Sequence, residues 1–150
     1  MAPHRILYIC SGNICRSPMA EALTASITAP YGIDVESRSA GTLGLVDRPA
    51  DPLAIKVCRE LGVDLRDHRS RGIDANLLAW ADHILVMSVE HAMWIREHHD
   101  DPGERLRLLG PFAGVPEIPD PIGGWSWTFR RVRRQIEAGI QAFTRRVLAP

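Results

Sequence analysis

The stretch CSGNICRSP, residues 10–18, joins two segments of different character. Before it runs the apolar segment ILYI, residues 6–9, and after it the helix-favouring segment MAEAL, residues 19–23. This order predicts a turn between a buried strand and a helix, with Pro18 in the first helical turn and Ser17 as the cap. Such a turn directs unpaired backbone N–H groups and the positive helix end into one small volume. The sequence therefore predicts an anion-binding turn.

Cys10 and Arg16 add a thiol and a guanidinium to this turn. The amides, the helix end and the arginine charge all favour the thiolate form of Cys10, which is a strong nucleophile. The planar fork of Arg16 can bind two oxygens of one phosphate, which a lysine cannot do. The Ser17 hydroxyl is placed to donate to the same sulfur and to help it leave. The arrangement suits attack on a phosphate monoester and a phosphocysteine intermediate.

The other loop residues are expected to shape the phosphate seat. Gly12 permits close approach and unusual backbone angles, and Asn13 is among the few residues tolerated in left-handed geometry. We expect the substrate-binding residues of the loop to be Ser11, Gly12, Asn13, Ile14, Cys15 and Ser17.

The spacing from Cys10 to Arg16 is the C-x5-R pattern of cysteine-dependent phosphatases. The longer string CSGNICRSPMAE, residues 10–21, resembles the low-molecular-weight protein tyrosine phosphatase family. The resemblance continues through SAGT at 39–42, ILVMS at 84–88 and IPDP at 118–121. It implies a protein phosphatase that needs no cofactor and no metal.

The same resemblance implies a polar network around the loop asparagine. By position, the partners of Asn13 would be Ser39, Ser17 and His68. Leu43 and Leu45 are candidates to line the pocket entrance.

Asp120 is the candidate acid. It lies in the segment PEIPDPIGG, residues 116–124, which is a loop by its proline and glycine content. Cleavage of a phosphate ester expels a poor leaving group, so a carboxylic acid is needed near the leaving oxygen. After that step the carboxylate can activate the water that hydrolyses the phosphocysteine. In the resembled family, an Asp-Pro pair in this region supplies the acid.

Two features point to different substrates. Many tyrosine phosphatases of this family carry two aromatic residues after Asp-Pro, whereas the segment Ile122-Gly123-Gly124 is similar to members that act on phosphoarginine. Ile14 is typical of the tyrosine-directed branch, since a threonine is expected there in arginine phosphatases. Ile14 lies nearer the phosphate, so we expect phosphotyrosine, with phosphoarginine as the alternative. Trp125 is the candidate for the missing aromatic wall.

Composition limits the class of protein. A chain of 150 residues suits one domain, residues 1–150, and its formal net charge of zero gives no field that recruits nucleic acid or membrane. No apolar run approaches the roughly 18 residues of a membrane span. The N-terminus leads straight into a strand instead of a signal peptide, which predicts a cytoplasmic protein. The expected ligands are a phosphorylated protein and, in the active site, inorganic phosphate or vanadate.

The three cysteines, Cys10, Cys15 and Cys58, do not indicate a disulfide framework. No second cysteine or histidine pair lies at zinc-ligand spacing, so no metal site is expected. Two roles remain open for Cys15. It is either a packing residue or the thiol that traps an oxidised Cys10 as a reversible disulfide.

Two other functions use a similar phosphate loop. A thioredoxin-coupled arsenate reductase needs resolving cysteines after the third strand, and none follows Cys58. A non-catalytic phosphopeptide-binding module would lack the nucleophile or the acid, whereas Cys10 and Asp120 are both present.

The pattern along the chain predicts an open α/β domain with about four parallel strands and helices on both faces. In such sheets the ligand binds at the carboxyl ends of the strands. Strands are predicted at 4–10, 35–39, 83–87 and 106–109, and helices at 18–28, 51–61, 73–80, 89–98 and 125–148.

Overall fold

Parallel strands form the centre of the fold in the computed structural model, which describes residues 2–150. The strands are β1 (His4–Cys10), β2 (Val35–Gly41), β3 (His83–Val86) and β4 (Leu106–Leu108). They lie in the order β2-β1-β3-β4, and each is parallel to its neighbours. This confirms the predicted four-stranded open sheet. Because β2 extends to Gly41, two residues past its predicted end, it runs level with Cys10 across the sheet.

In the part of the chain that the structure describes, five α-helices connect and cover the strands. They are α1 (Arg16–Thr28), α2 (Pro52–Arg59), α3 (Ala75–Trp80), α4 (Val89–His98) and α5 (Ser126–Phe143). The chain continues from α5 into a π-helical turn, Thr144–Leu148, so the long C-terminal helix is predicted correctly in extent. Within residues 2–150, none of the helices combines the length and the apolar character that a membrane crossing requires.

The alternating side chains of β1 explain its unbroken apolar sequence. Ile6 and Tyr8 pack into one core cluster, which includes residues of α1, α2 and α5. Leu7 and Ile9 point to the other face and pack with residues of α3 and α4. All four side chains are fully buried. Helices therefore cover both faces of the sheet, as a central parallel strand requires.

The predicted cap of α1 is wrong. The helix begins at Arg16 with Cys15 as its N-cap, and no side chain bonds to the free N–H groups of its first turn. Ser17 lies inside the helix, where its hydroxyl contacts Cys10 and Asn13 instead. The first-turn N–H groups are thus left without a side-chain cap at the end where a helix attracts anions.

Three backbone contacts bring separate loops together at the carboxyl end of the sheet. The N–H of Thr42 donates to the carbonyl of Cys10 at 3.0 Å, just past the end of β1. The N–H of Met87 donates to the carbonyl of Ile9 at 3.0 Å, and its own carbonyl accepts from the N–H of Ile118 at 2.9 Å. The loop that carries Asp120 is thereby fixed beside the loop that carries Cys10.

Candidate active site

A pocket of about 250 Å³ opens over the loop that follows β1. It brings together the predicted nucleophile, the predicted phosphate-binding arginine and the predicted acid. The two leucines expected at its entrance also line it. The lining residues are Cys10, Ser11, Gly12, Ile14, Cys15, Arg16, Leu43, Leu45, Asp120 and Ile122.

The Cys10 sulfur accepts two hydrogen bonds from its own loop. The N–H of Asn13 donates to it at 3.3 Å, and the Ser17 hydroxyl lies 2.9 Å away. The Asn13 amide nitrogen, which can only donate, lies 2.9 Å from the same hydroxyl oxygen. Ser17 therefore accepts from Asn13 and keeps its own proton for the sulfur. Both contacts favour a negative charge on Cys10.

Asn13 is held by every partner that the family resemblance implies. Its side-chain nitrogen donates to Ser17 and to Ser39, each at 2.9 Å, while its backbone carbonyl lies 2.7 Å from Nε2 of His68. A further contact was not predicted, since the N–H of Arg71 donates to the Asn13 side-chain oxygen at 3.0 Å. The network stabilises a left-handed backbone at Asn13, with φ of 57°.

Gly41, in the predicted motif SAGT, allows β2 to approach this loop closely. A Cβ atom at this position would lie 2.5 Å from the carbonyl oxygen of Ser11 and 2.9 Å from the backbone nitrogen of Asn13. Both contacts are with backbone atoms, so no side-chain movement could relieve them. Glycine is therefore required for the observed shape of the loop.

Arg16 joins the two loops of the site. Its side chain is only 5% exposed, and its Nη1 donates to the carbonyl of Ile118 at 3.1 Å. Its Nη2 lies 3.4 Å from Oγ of Ser11 and 3.8 Å from Oδ2 of Asp120. The guanidinium is thus held at two nitrogens while it faces the pocket.

Asp120 is more accessible than Arg16, because 44% of its side chain is exposed, compared with 5% for Arg16. Its Oδ1 accepts from the N–H of Ile122 at 3.1 Å, which fixes the carboxyl group at the pocket wall. A carboxyl group in this place contacts solvent and lines the same pocket as Cys10. It can therefore exchange protons with the solvent between the two halves of a reaction.

Burial keeps the other two thiols neutral. Burial, and then the charges of Asp51 and Asp120, raise the pKa of Cys15 well above its ordinary value. Burial also raises the pKa of Cys58 to about 12. Cys15 packs in the core cluster under the pocket, which fits the packing role. All three cysteines are free.

His91 is a site residue that the sequence reasoning missed. It lies in the first turn of α4, is 1% exposed, and its Nε2 contacts the Ser11 hydroxyl at 2.9 Å. Burial, followed by the charge of Arg16, lowers the pKa of His91 to about 4. Ser88 is the N-cap residue of α4, and its backbone N–H donates to Nδ1 of His91 at 3.1 Å. The S-x-x-H spacing of Ser88 and His91 was the signal in the sequence that could have identified this histidine.

Trp125 lies outside the residues that line the pocket. It is 73% exposed and is the N-cap residue of α5, where its backbone N–H donates to Oγ1 of Thr128 at 3.3 Å. Its contact with a substrate stays a prediction. Ile122, by contrast, lines the pocket and is 56% exposed.

The fold and the pocket together define a class of protein. A thiol after the first parallel strand, in one pocket with an arginine and a carboxylic acid, is the arrangement of a cysteine-dependent phosphatase. Residues 5–149 match the model of the family described as low molecular weight phosphotyrosine protein phosphatase, and the chain belongs to this family. Across residues 2–150, no group of three or more histidine, cysteine or acidic residues is arranged to hold a metal ion.

Three comparisons show how much of the chain this family relationship covers. A probable low molecular weight protein-tyrosine-phosphatase, EpsP of Ralstonia solanacearum, is 35% identical over 144 residues, which are 96% of each chain. A protein-arginine-phosphatase of Geobacillus stearothermophilus is 34% identical over 137 residues, 90% of each chain. The crystal structure of a YwlE mutant from Bacillus subtilis superimposes with a TM-score of 0.90 at 28% identity, covering 97% of this chain and 99% of that one.

Proposed function

We propose that this protein hydrolyses phosphotyrosine in phosphorylated proteins through a phosphocysteine on Cys10. The observation that carries the proposal is the environment of the Cys10 sulfur. It accepts from Asn13 and from Ser17 in a pocket that Arg16 and Asp120 also line. Each of these groups stabilises a charge or a proton that the reaction moves.

In the first half-reaction, Arg16 and the loop N–H groups bind the phosphoryl oxygens. The Cys10 sulfur attacks phosphorus, so that an S–P bond forms while the P–O bond to the tyrosine ring breaks. Asp120 gives its proton to the departing phenolate oxygen. Positioning and electrostatic stabilisation of the transferring phosphoryl group supply most of the acceleration.

In the second half-reaction, the Asp120 carboxylate accepts a proton from a water molecule as that water attacks phosphorus. The S–P bond breaks and its electron pair returns to the Cys10 sulfur. The Ser17 hydroxyl, 2.9 Å from the sulfur, stabilises the departing thiolate. Inorganic phosphate is released and Asp120 again carries the proton for the next substrate.

The direct test is turnover of p-nitrophenyl phosphate by the wild-type protein and its inhibition by vanadate. A phosphatase of this type is expected to turn over the ester without added metal. A non-catalytic phosphopeptide-binding module would bind vanadate with no turnover, and an arsenate reductase would consume thiols when arsenate is added. Either result would contradict the proposal.

Replacing the acid tests the assignment of Asp120. We expect Asp120→Ala to slow hydrolysis of phenyl phosphate about 10²-fold, because its phenolate leaves poorly without a proton. Hydrolysis of p-nitrophenyl phosphate is expected to slow about tenfold or less, because p-nitrophenolate leaves without help. The measurement is the rate of phosphoenzyme formation for both esters. Equal losses on the two esters would remove Asp120 from the acid role.

The walls of the pocket favour an aromatic substrate. Ile14, Leu43, Leu45 and Ile122 place apolar side chains around the opening above Cys10. Leu43 and Ile122 are 66% and 56% exposed, so each has apolar surface that a bound ring would cover. The guanidinium group of a phosphoarginine substrate would meet only an apolar side chain at Ile14. Phosphotyrosine is therefore the preferred substrate in this proposal.

Protein-arginine phosphatase activity is the second candidate. It is favoured by Ile122-Gly123-Gly124 after the Asp-Pro pair and by the similarity to the Geobacillus enzyme. We expect Ile14→Thr to shift the ratio of kcat/KM for phosphoarginine over phosphotyrosine peptides upward by about tenfold, because the hydroxyl offers a polar partner. Parallel assays of both peptides measure this ratio. A wild-type ratio that already favours phosphoarginine would replace the lead proposal with this candidate.

We further propose that residues 1–150 form one phosphatase domain that works in the cytoplasm. Three free thiols support a reducing compartment. Inorganic phosphate and vanadate are the small ligands expected in the Cys10 loop.

A further inference from the structure

We propose that His91 is a positioning residue, which orients Arg16 through the hydroxyl group of Ser11. The inference rests on the proposed function, because Arg16 is the residue that binds the phosphoryl group there. Three hydrogen-bonded side chains in series carry it, and two of them, His91 and Arg16, are 1% and 4% exposed.

The hydrogen-bond partners of His91 determine where its proton lies. The N–H of Ser88 lies 3.1 Å from Nδ1, and a backbone N–H can only donate. Oγ of Ser88 is also 3.0 Å from Nδ1. Nδ1 is therefore the unprotonated nitrogen, and neutral His91 carries its proton on Nε2. The low pKa of His91, caused by burial and by Arg16, keeps the ring neutral at pH 7.

The proton on Nε2 is directed at Ser11. Oγ of Ser11 lies 2.9 Å from Nε2, whereas Oε1 of Glu90 is 3.7 Å away and too distant for a hydrogen bond. Nη2 of Arg16, which is also a donor, lies 3.4 Å from the same Ser11 oxygen. Ser11 thus accepts from both His91 and Arg16, and its own O–H is left free to donate.

This series fixes one end of the arginine fork. Nη1 of Arg16 is held by the carbonyl of Ile118 at 3.1 Å, and Nη2 is held by Ser11. Without the bond from His91, the Ser11 hydroxyl is free to rotate away from Nη2. A mobile fork binds an oxyanion less well, because it must be ordered each time the ligand binds.

The variant His91→Asn separates this role from helix capping. The side-chain oxygen of the introduced asparagine takes the place of Nδ1 and can still accept from the N–H of Ser88. Asparagine has no atom in the place of Nε2, so the bond to Ser11 is lost. We expect vanadate inhibition and kcat/KM for p-nitrophenyl phosphate each to weaken by about 3- to 10-fold, the effect of one lost hydrogen bond. His91→Gln, whose amide nitrogen reaches one atom further, is expected to recover most of this loss.

A double-mutant cycle with Ser11→Ala provides the decisive measurement. Ser11→Ala alone is expected to weaken phosphate binding by a factor similar to that of His91→Asn. In the Ser11→Ala background, His91→Asn is expected to change phosphate binding by less than about 1.5-fold, because its target is gone. Independent, multiplicative losses would overturn the proposal. The proposal would also be overturned if Ser11→Ala bound phosphate with wild-type affinity, and this result does not depend on the stability of the His91 variants.

Calorimetry with inorganic phosphate keeps this test separate from the test of the proposed function. A wild-type protein that binds phosphate without hydrolysing esters would contradict the function, while the binding cycle would still decide the role of His91. Thermal unfolding of each variant identifies a loss caused by destabilisation. A loss of phosphate affinity that follows the unfolding temperature and is not recovered by His91→Gln would show a merely structural role.

Discussion

Replacing Cys10 by serine is expected to lower kcat for p-nitrophenyl phosphate by at least about 10⁴-fold, which is the scale of losing a catalytic nucleophile. A serine hydroxyl is far less acidic than a thiol, so the N–H of Asn13 and the Ser17 hydroxyl cannot turn it into a comparable anion. The fold is expected to persist, because the oxygen can accept the same two hydrogen bonds. Steady-state rates with calorimetric phosphate binding measure both properties.

The matched control for this variant is Cys58→Ala. Cys58 is fully buried in the core, and burial raises its pKa to about 12, so it takes no part in the chemistry. Its replacement is expected to keep kcat within about twofold while lowering stability by the roughly 1 kcal/mol of a small core deletion. If Cys10→Ser retained more than about 1% of the wild-type kcat, Cys10 would not be the nucleophile.

The sheet can be predicted from the sequence because each strand carries its own signal. β1 is an apolar run, and residues 6–9 of this strand are fully buried. Glycine and proline mark where the intervening segments turn. Parallel pairing then follows from the alternation of strands and helices, since such crossovers are right-handed. Local signals do not set the ends of the strands, and β2 continues to Gly41 because its last residues pair with Ile9 and Cys10.

The cap of α1 shows why local patterns fail at the site itself. Serine before proline is a good helix start, so Ser17 is the natural prediction from local sequence. In the structure, the Ser17 hydroxyl instead forms hydrogen bonds with Cys10 and Asn13. Local propensity describes a helix end that satisfies its own N–H groups. A phosphate-binding helix end departs from that pattern, because its N–H groups are kept for the ligand.

His91 was missed for a different reason. Its contact with Ser11 joins residues 80 positions apart, and no local pattern encodes such a distance. Ser39 and His68 also lie far from Asn13 in sequence, at 26 and 55 positions, yet the family resemblance identified both. The placement of Trp125 was also beyond local reasoning, because an aromatic residue before an amphipathic helix packs or stays exposed according to the surface that it meets.

Replacing Arg16 by lysine is expected to lower kcat for p-nitrophenyl phosphate by about 10³-fold, the upper range for loss of a transition-state donor. Lysine keeps the positive charge, so the variant tests the geometry of the fork rather than the charge. One ammonium group cannot bond to the Ile118 carbonyl and to Ser11 while presenting paired donors to a phosphoryl group.

Arg131→Lys is the control for Arg16→Lys. The Arg131 side chain is exposed on α5 and is not among the residues that line the pocket. We expect it to leave kcat within about twofold of wild type, as exposed positions usually do. Vanadate inhibition is expected to weaken in Arg16→Lys more than inhibition by inorganic phosphate, because vanadate resembles the five-coordinate transition state. A kcat in Arg16→Lys within about tenfold of wild type would show that charge alone suffices, and the orientation of the guanidinium by Ile118 and Ser11 would then have no catalytic value.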